Sequence, residues 1–251
     1  MTKSGTAWII GGGSGIGAAM AGLLAERGWT VAISGRRIER LEAVAAGSDR
    51  IRPYPLDVTD SEAIATTTER IAAELGRIDL FIFGAAAWQP MELGDYDFDK
   101  FANIVDTNLL GFVRMANPLV KQMEQQGGGQ IAVIASVAGY FGLPYAAAYN
   151  STKGALINLL QTMRTELKPR GIAVRMVAPG FFKSELTAKN EFPMPFLMEV
   201  DDAARRTIDG LLGSDRFEIA FPRRLAWPMK LMRMLPYPLF FWITDRMMPK
   251  R

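Results

Sequence analysis

The chain has 251 residues, 49% of them hydrophobic and 22% charged, enough to bury one large α/β core and ordinary for a globular protein. It has no cysteine and no histidine, which excludes disulfides, thiolate chemistry, the usual zinc sites and any Ser-His triad; no metal is expected. The net charge of +3 is uneven, with 21 basic against 24 acidic residues over 1–215 and 8 against 2 over 216–251, so a general nucleic-acid footprint is excluded and the basic tail needs its own account.

From Met1-Thr2-Lys3-Ser4-Gly5 the chain passes straight into an apolar run, without the long hydrophobic stretch and small-residue cleavage site of a secretory signal. A cytoplasmic location is expected. Apolar runs at 7–10, 31–33, 51–56, 80–83, 131–134 and 173–177 predict strands, with 217–221 a candidate seventh. Their unbroken apolarity suits strands covered on both faces. Helical patterns fall between them at about 15–28, 60–76, 98–125 and 147–169. This alternation predicts a Rossmann-type α/β fold with a doubly wound parallel sheet. The expected organisation is a single domain over 1–222, followed by a basic, hydrophobic C-terminal extension over 223–251.

After the first strand comes Gly11-Gly12-Gly13-Ser14-Gly15-Ile16-Gly17, opening a helix. Phosphates need close backbone approach, and a helix N-terminus supplies free N–H donors with a favourable dipole. Gly11, Ser14, Gly15, Ile16 and Gly17 are therefore candidate cofactor contacts. The second strand ends in Ser34-Gly35-Arg36-Arg37, with no carboxylate to hold ribose hydroxyls. Arg36 and Arg37 match a ribose 2′-phosphate instead, which predicts NADP(H).

Tyr149-Asn150-Ser151-Thr152-Lys153 opens a later helix and puts Tyr149 and Lys153 on one face. Ser136 precedes Tyr149 by thirteen residues, at the end of the fifth strand, and Asn108 lies on the long helix before it. With the Gly-x-x-x-Gly-x-Gly spacing of Gly11, Gly15 and Gly17, this set resembles the short-chain dehydrogenase/reductase family over roughly residues 5–190. The resemblance implies that Asn108, Ser136, Tyr149 and Lys153 are catalytic, with Tyr149 and Lys153 also contacting the cofactor, Lys153 at the nicotinamide ribose, and Asn108 holding a water. It further implies cofactor contacts from Asp57 and Val58, from Gly84, and from Pro179 and Gly180, with Ser184 near a usual Thr. Two departures stand out. Ile10 occupies the usual Thr position, and Phe83-Gly84-Ala85-Ala86 replaces the usual Asn-Asn-Ala-Gly.

The residue types suit carbonyl reduction, in which a developing alkoxide takes a proton from a tyrosine hydroxyl. An unperturbed phenol titrates near 10, so the Lys153 ammonium and the positive charge of the oxidised nicotinamide are expected to lower it together, while Ser136 orients the substrate oxygen. A catalytically silent nucleotide sensor or scaffold of the same fold is the alternative function; the glycine spacing disfavours a sugar-nucleotide epimerase.

Trp88, Tyr140, Phe181, Phe182 and the loop Glu191–Met198 are expected to border an apolar pocket, which points to an apolar carbonyl or alcohol as substrate. By resemblance the chain forms a homodimer or homotetramer. In the extension, a helix would gather Arg223, Lys230 and Arg233 on one face and Trp227, Leu231 and Leu235 on the other. That amphipathic pattern predicts a peripheral contact with anionic membrane, with packing on the domain's own surface or contact with another subunit as the alternatives. Its prolines and charges argue against a transmembrane helix.

Overall fold

The computed structural model describes residues 4–190 and 192–247. Met1–Lys3, Glu191 of the predicted pocket loop and residues 248–251 of the extension lie outside the described residues. The predicted strands are present as β1 (Thr6–Ile10), β2 (Thr30–Gly35), β3 (Ile51–Pro55), β4 (Leu80–Phe83), β5 (Gly129–Ile134), β6 (Ile172–Pro179) and β7 (Glu218–Phe221). They form one parallel sheet in the order β3-β2-β1-β4-β5-β6-β7. The strands read as apolar throughout because both faces are covered. In β1, Trp8 and Ile10 enter one core layer, and Ala7 and Ile9 enter the other.

Helices α1 (Gly15–Glu26), α2 (Ile38–Ala45) and α7 (Val200–Gly213) cover one face of the sheet. The other face is covered by α3 (Ser61–Leu75), α5 (Gly111–Gln125) and α6 (Ala147–Leu167). Two of these escape the sequence pattern. Only Leu41 is buried on the short α2, too narrow a stripe to register. On α7 the buried stripe is diluted by Ala203, Ala204 and Thr207.

The single helix expected over 98–125 is divided. Between α4 (Phe98–Val105) and α5 the chain makes a π-helical turn, Asp106–Leu110. Periodicity misses such a turn because the chain stays helical; the wider turn re-aims side chains, and here it carries the fully buried Asn108.

Strand order reverses at β1, whose neighbours are β2 and β4. The crevice beyond the carboxyl ends of those strands is where a doubly wound sheet receives a ligand. The glycine loop follows β1, and Arg36, Gly84, Ser136 and Gly180 follow the ends of β2, β4, β5 and β6.

The extension begins as α8 (Arg223–Arg233) and continues as α9 (Tyr237–Thr244). Ala226 is buried, and Leu225 and Met229 pack against the larger core layer, so α8 is seated on the domain. Its faces differ from the expected division. Lys230 is drawn to Glu218 of β7 and leaves the basic face, because a nearby carboxylate outcompetes solvent for its ammonium. Leu235 is partly covered, whereas Trp227, Leu231 and Met234 are exposed.

Candidate active site

A cavity of about 1130 Å³ opens along the carboxyl edge of the sheet. The glycine loop forms part of its wall. A Cβ at Gly17 would fall 2.1 Å from the Gly11 carbonyl oxygen, so the first turn of α1 can lie against the end of β1 only if residue 17 has no side chain. Gly11 has φ +82°, a conformation costly for other residues. Ser14, at the N-cap of α1, makes no side-chain cap, and no acidic residue occupies the first turn. The N–H groups and the positive dipole end there remain available to an anion, so the loop fits the phosphates of a dinucleotide.

Arg36 and Arg37 are exposed along the cavity wall. Arg40, which sequence reading did not single out, joins them from α2; its spacing of three from Arg37 was the available signal. From the loop after β6, Glu185 pairs with Arg40 and lies 3.9 Å from Arg37. Hydrogen bonding to Arg40 holds the Glu185 carboxyl below the usual range. Asp57 accepts from the backbone N–H and hydroxyl of Thr59, and Val58 is buried beside it. At the unusual Phe83-Gly84-Ala85-Ala86 segment, Phe83 turns into the core against Phe112, centroids 5.4 Å apart. Gly84, Ala85 and Ala86 line the cavity, and a Cβ on Gly84 would approach the Ile10 carbonyl oxygen to 3.0 Å. Small residues are what this wall requires.

Ser136, Tyr149 and Lys153 meet in the same cavity, with Pro179 and Gly180 beside them. Ser136 caps the short turn Val137–Gly139; its Oγ accepts from Ala138 N–H at 3.1 Å and donates to the Pro179 carbonyl at 3.4 Å. That turn lies close to α6, since a Cβ on Gly139 would be 2.8 Å from the Lys153 carbonyl carbon. A glycine three residues beyond Ser136 was the overlooked signal of this approach. Buried Lys153 donates from Nζ to the Ile134 carbonyl at 2.7 Å, and the same Nζ lies 5.4 Å from the centre of the Tyr149 ring.

Asn108 reaches the site through its neighbours. Its Oδ1 accepts from Ala87 N–H at 2.6 Å, and its Nδ2 donates to the Ala87 carbonyl at 3.0 Å and to Thr152 Oγ1 at 3.3 Å. Thr152 donates in turn to the Tyr149 carbonyl, and Trp88, next to Ala87, meets the Tyr149 ring edge-on at 5.2 Å. The buried amide thus ties the segment after β4 to the first turn of α6.

Burial alone depresses the Lys153 ammonium to about 7. Burial raises the Tyr149 phenol to about 12, against the pull of the Ser136 hydroxyl. In the cofactor-free site an amine so dehydrated gives up its own charge near neutrality, and the lowering of the phenol expected from Lys153 together with the oxidised nicotinamide belongs to the loaded site. The phenol is held in its protonated form, the form that donates.

The expected pocket border is part right. Trp88, Phe181 and Phe182 line the cavity, as do Phe192, Pro193 and Pro195. Tyr140 does not; its hydroxyl donates to Glu218, and burial with that carboxylate pushes its pKa far up. Met198 is buried against the core layer that includes α7, while Phe196 and Leu197 are exposed. The cavity also has a wall that sequence reading missed, formed by Leu225, Pro228, Met229 and Met232 of α8.

A parallel doubly wound sheet with a glycine-rich phosphate loop at its switch point and a Ser/Tyr/Lys cluster beyond β5 defines a nucleotide-dependent oxidoreductase. The short chain dehydrogenase family model matches residues 5–193, and the chain belongs to that family. Members use nicotinamide cofactors on small molecules and commonly assemble as oligomers. An uncharacterized oxidoreductase of Myxococcus xanthus is 36% identical over 239 residues, 94% of each chain. One from Staphylococcus aureus is 31% identical over 182 residues, 72% of this chain and 79% of that one. Among solved structures, a short-chain dehydrogenase from Streptomyces avermitilis superposes with a TM-score of 0.83 over 98% of both chains at 23% identity. A short-chain type dehydrogenase/reductase from Mycobacterium ulcerans gives 0.77 at 26% identity, over 88% of this chain and 89% of that one.

Proposed function

We propose that this chain is an NADP(H)-dependent oxidoreductase that interconverts a carbonyl and an alcohol on an apolar small molecule, with Tyr149 as general acid and base. The observation that carries the reading is the meeting of Ser136, Tyr149 and Lys153 in a cavity whose lining also holds the glycine loop and three arginines. NADP(H) would be held by Gly11, Ser14, Gly15, Ile16 and Gly17 at its phosphates and by Arg36, Arg37 and Arg40 at its 2′-phosphate. Asp57, Val58, Gly84, Pro179 and Gly180 would complete its cradle. When bound in reduced form, it supplies the hydride that adds to the carbonyl carbon.

Tyr149 donates its phenolic proton to the carbonyl oxygen as charge develops there, and recovers a proton when the cycle runs in reverse. Ser136 holds that oxygen by turning its hydroxyl from Pro179 towards the substrate. Lys153, with its amine depressed to about 7, is poised to return a proton near neutrality. Asn108 keeps Trp88 and the first turn of α6 in register with the tyrosine. Phe181, Phe182, Phe192 and the α8 residues offer an apolar surround, which favours a hydrocarbon-rich substrate over a sugar.

Exposed Phe98, Leu110 and Val113 on α4, the π turn and α5 support self-association as a homodimer or homotetramer. Use of an intracellular cofactor supports a cytoplasmic enzyme, with the extension making at most a peripheral membrane contact. The test is Tyr149→Phe: turnover of an apolar ketone, followed by NADPH absorbance, is expected to fall about a hundredfold or more, with NADPH affinity unchanged. A variant that keeps most of its turnover refutes the assignment.

A further inference from the structure

Helix α8 has two working faces. Met229 and Met232 look into the cavity beside Leu225 and Pro228. Trp227, Leu231 and Met234 face solvent at 69%, 63% and 80% exposure, and Tyr237, Leu239, Phe241 and Trp242 of α9 continue the apolar surface. Phe240 of α9 packs edge-on against Phe141, which itself lines the cavity, so the exposed patch reaches the cavity mouth. Seven large apolar side chains exposed on two consecutive helices mark a docking site.

Charge identifies the occupant. Residues 216–251 carry 8 basic and 2 acidic residues. Glu218 is already paired with Lys230, while Arg223, Arg224 and Arg233 on α8 carry no ion pair among the described residues. Arg246 stacks 3.8 Å over the Trp242 ring. Arginines interleaved with exposed tryptophans fit the interface of an anionic bilayer, where the rings enter the acyl boundary and the guanidiniums meet phosphates. Among the described residues no helix is long and apolar enough to cross a membrane.

We infer that α8 and α9 dock the cavity mouth on an anionic lipid surface, and that the substrate is a long-chain carbonyl or alcohol drawn from that surface along the inner face of α8. This rests on, and narrows, the oxidoreductase reading. A hydrocarbon chain leaving the bilayer would exchange lipid contacts for Met229, Met232 and Phe141, so its transfer needs no passage through water.

The test separates the two faces of one helix in the full-length protein. Vesicle sedimentation uses phosphatidylcholine with and without phosphatidylglycerol, at low and high salt. Binding of a tritiated long-chain methyl ketone is measured by equilibrium dialysis. The wild type is expected to sediment with the anionic vesicles and to be released by salt. The double variant Trp227→Glu, Trp242→Glu should lose vesicle partition about a hundredfold while still binding the ketone. Met229→Trp should do the reverse, keeping vesicles and losing ketone; Met232→Trp supplies the same block if the first variant does not fold.

Wild-type protein that ignores anionic vesicles at low salt overturns the docking. So does a fall in sedimentation-velocity mass for the double variant, which would make the patch a subunit interface. Unchanged ketone binding in both methionine variants overturns the substrate path. Neither readout needs hydride transfer, so failure of the Tyr149 test would be told apart from failure here.

Discussion

Lys153 offers the sharpest test of the site's electrostatics, because its burial has a thermodynamic consequence that needs no substrate. Its side chain is 1% exposed, and its ammonium is depressed from 10.5 to about 7 by desolvation. That fall is worth roughly 5 kcal/mol between the two protonation states. Below about pH 7 the lysine is charged in both folded and unfolded chains, and the folded state bears the full cost of burying the charge. Between 7 and 10.5 the unfolded chain holds a proton that the folded chain does not. Unfolding takes up that proton, so this group makes stability rise with pH by about 1.4 kcal/mol per pH unit. Tyr149 acts in the opposite sense and in a higher window. Its phenol is raised from 10.0 to about 12, so the stability it contributes is present below pH 10 and lost as pH climbs towards 12.

The perturbation is Lys153→Met, similar in length and without charge. The variant forfeits the hydrogen bond to the Ile134 carbonyl, about 1 kcal/mol at every pH. Urea unfolding of cofactor-free wild type and variant, in steps from pH 6 to pH 10, gives the difference in free energy. Other titrating groups are common to both proteins and cancel. At pH 6 the variant is expected to be the more stable by several kcal/mol, with the wild type gaining on it steadily between about pH 7 and 10. A difference that stays flat across that range would refute the reasoning, because Lys153 would then titrate in the folded chain as it does in the unfolded one.

Two further outcomes test the cofactor end of the cavity. The double variant Arg36→Ala, Arg37→Ala should weaken NADPH binding by roughly ten- to hundredfold while leaving NADH nearly unaffected, since the net loss of one charge-assisted hydrogen bond costs about 1.5–3 kcal/mol and Arg40 stays in place to hold the 2′-phosphate; equal affinities of the wild type for the two cofactors by fluorescence titration would overturn the assignment. Gly17→Ala would put a Cβ 2.1 Å from the Gly11 carbonyl oxygen, against backbone that has no rotamer with which to yield; loss of a few kcal/mol in thermal or urea unfolding, with loss of dinucleotide binding, is expected. An alanine variant as stable as the wild type would mean that α1 does not lie where these contacts require.

Much of this protein was readable before any coordinates, for a local reason. A strand buried on both faces must be apolar along its whole length, so Trp8–Ile10, Phe81–Phe83 and Ile131–Ile134 announce a covered parallel sheet. A turn that brings a helix end against a strand end must lose its side chains, and a left-handed turn favours glycine, so Gly11 and Gly17 with Gly15 between them mark the phosphate loop. Family membership follows from such short, contiguous patterns together with the spacing of Ser136, Tyr149 and Lys153.

What the tertiary structure alone decided involves residues whose partners lie far away in the chain. Asn108 binds Ala87 and Thr152, through a π turn that leaves helical periodicity intact. Arg40 shares the cavity wall with Arg37 because Glu185, 145 residues from Arg40, meets both. Tyr140 turns from the expected pocket to Glu218, and that carboxylate also takes Lys230 from the basic face of α8. The low pKa of Lys153 comes from its burial, where its amine meets the Ile134 carbonyl at the end of β5. Each of these is a matter of which distant side chain or carbonyl arrives first and how much water is shut out, and neither quantity is written in the residues next door.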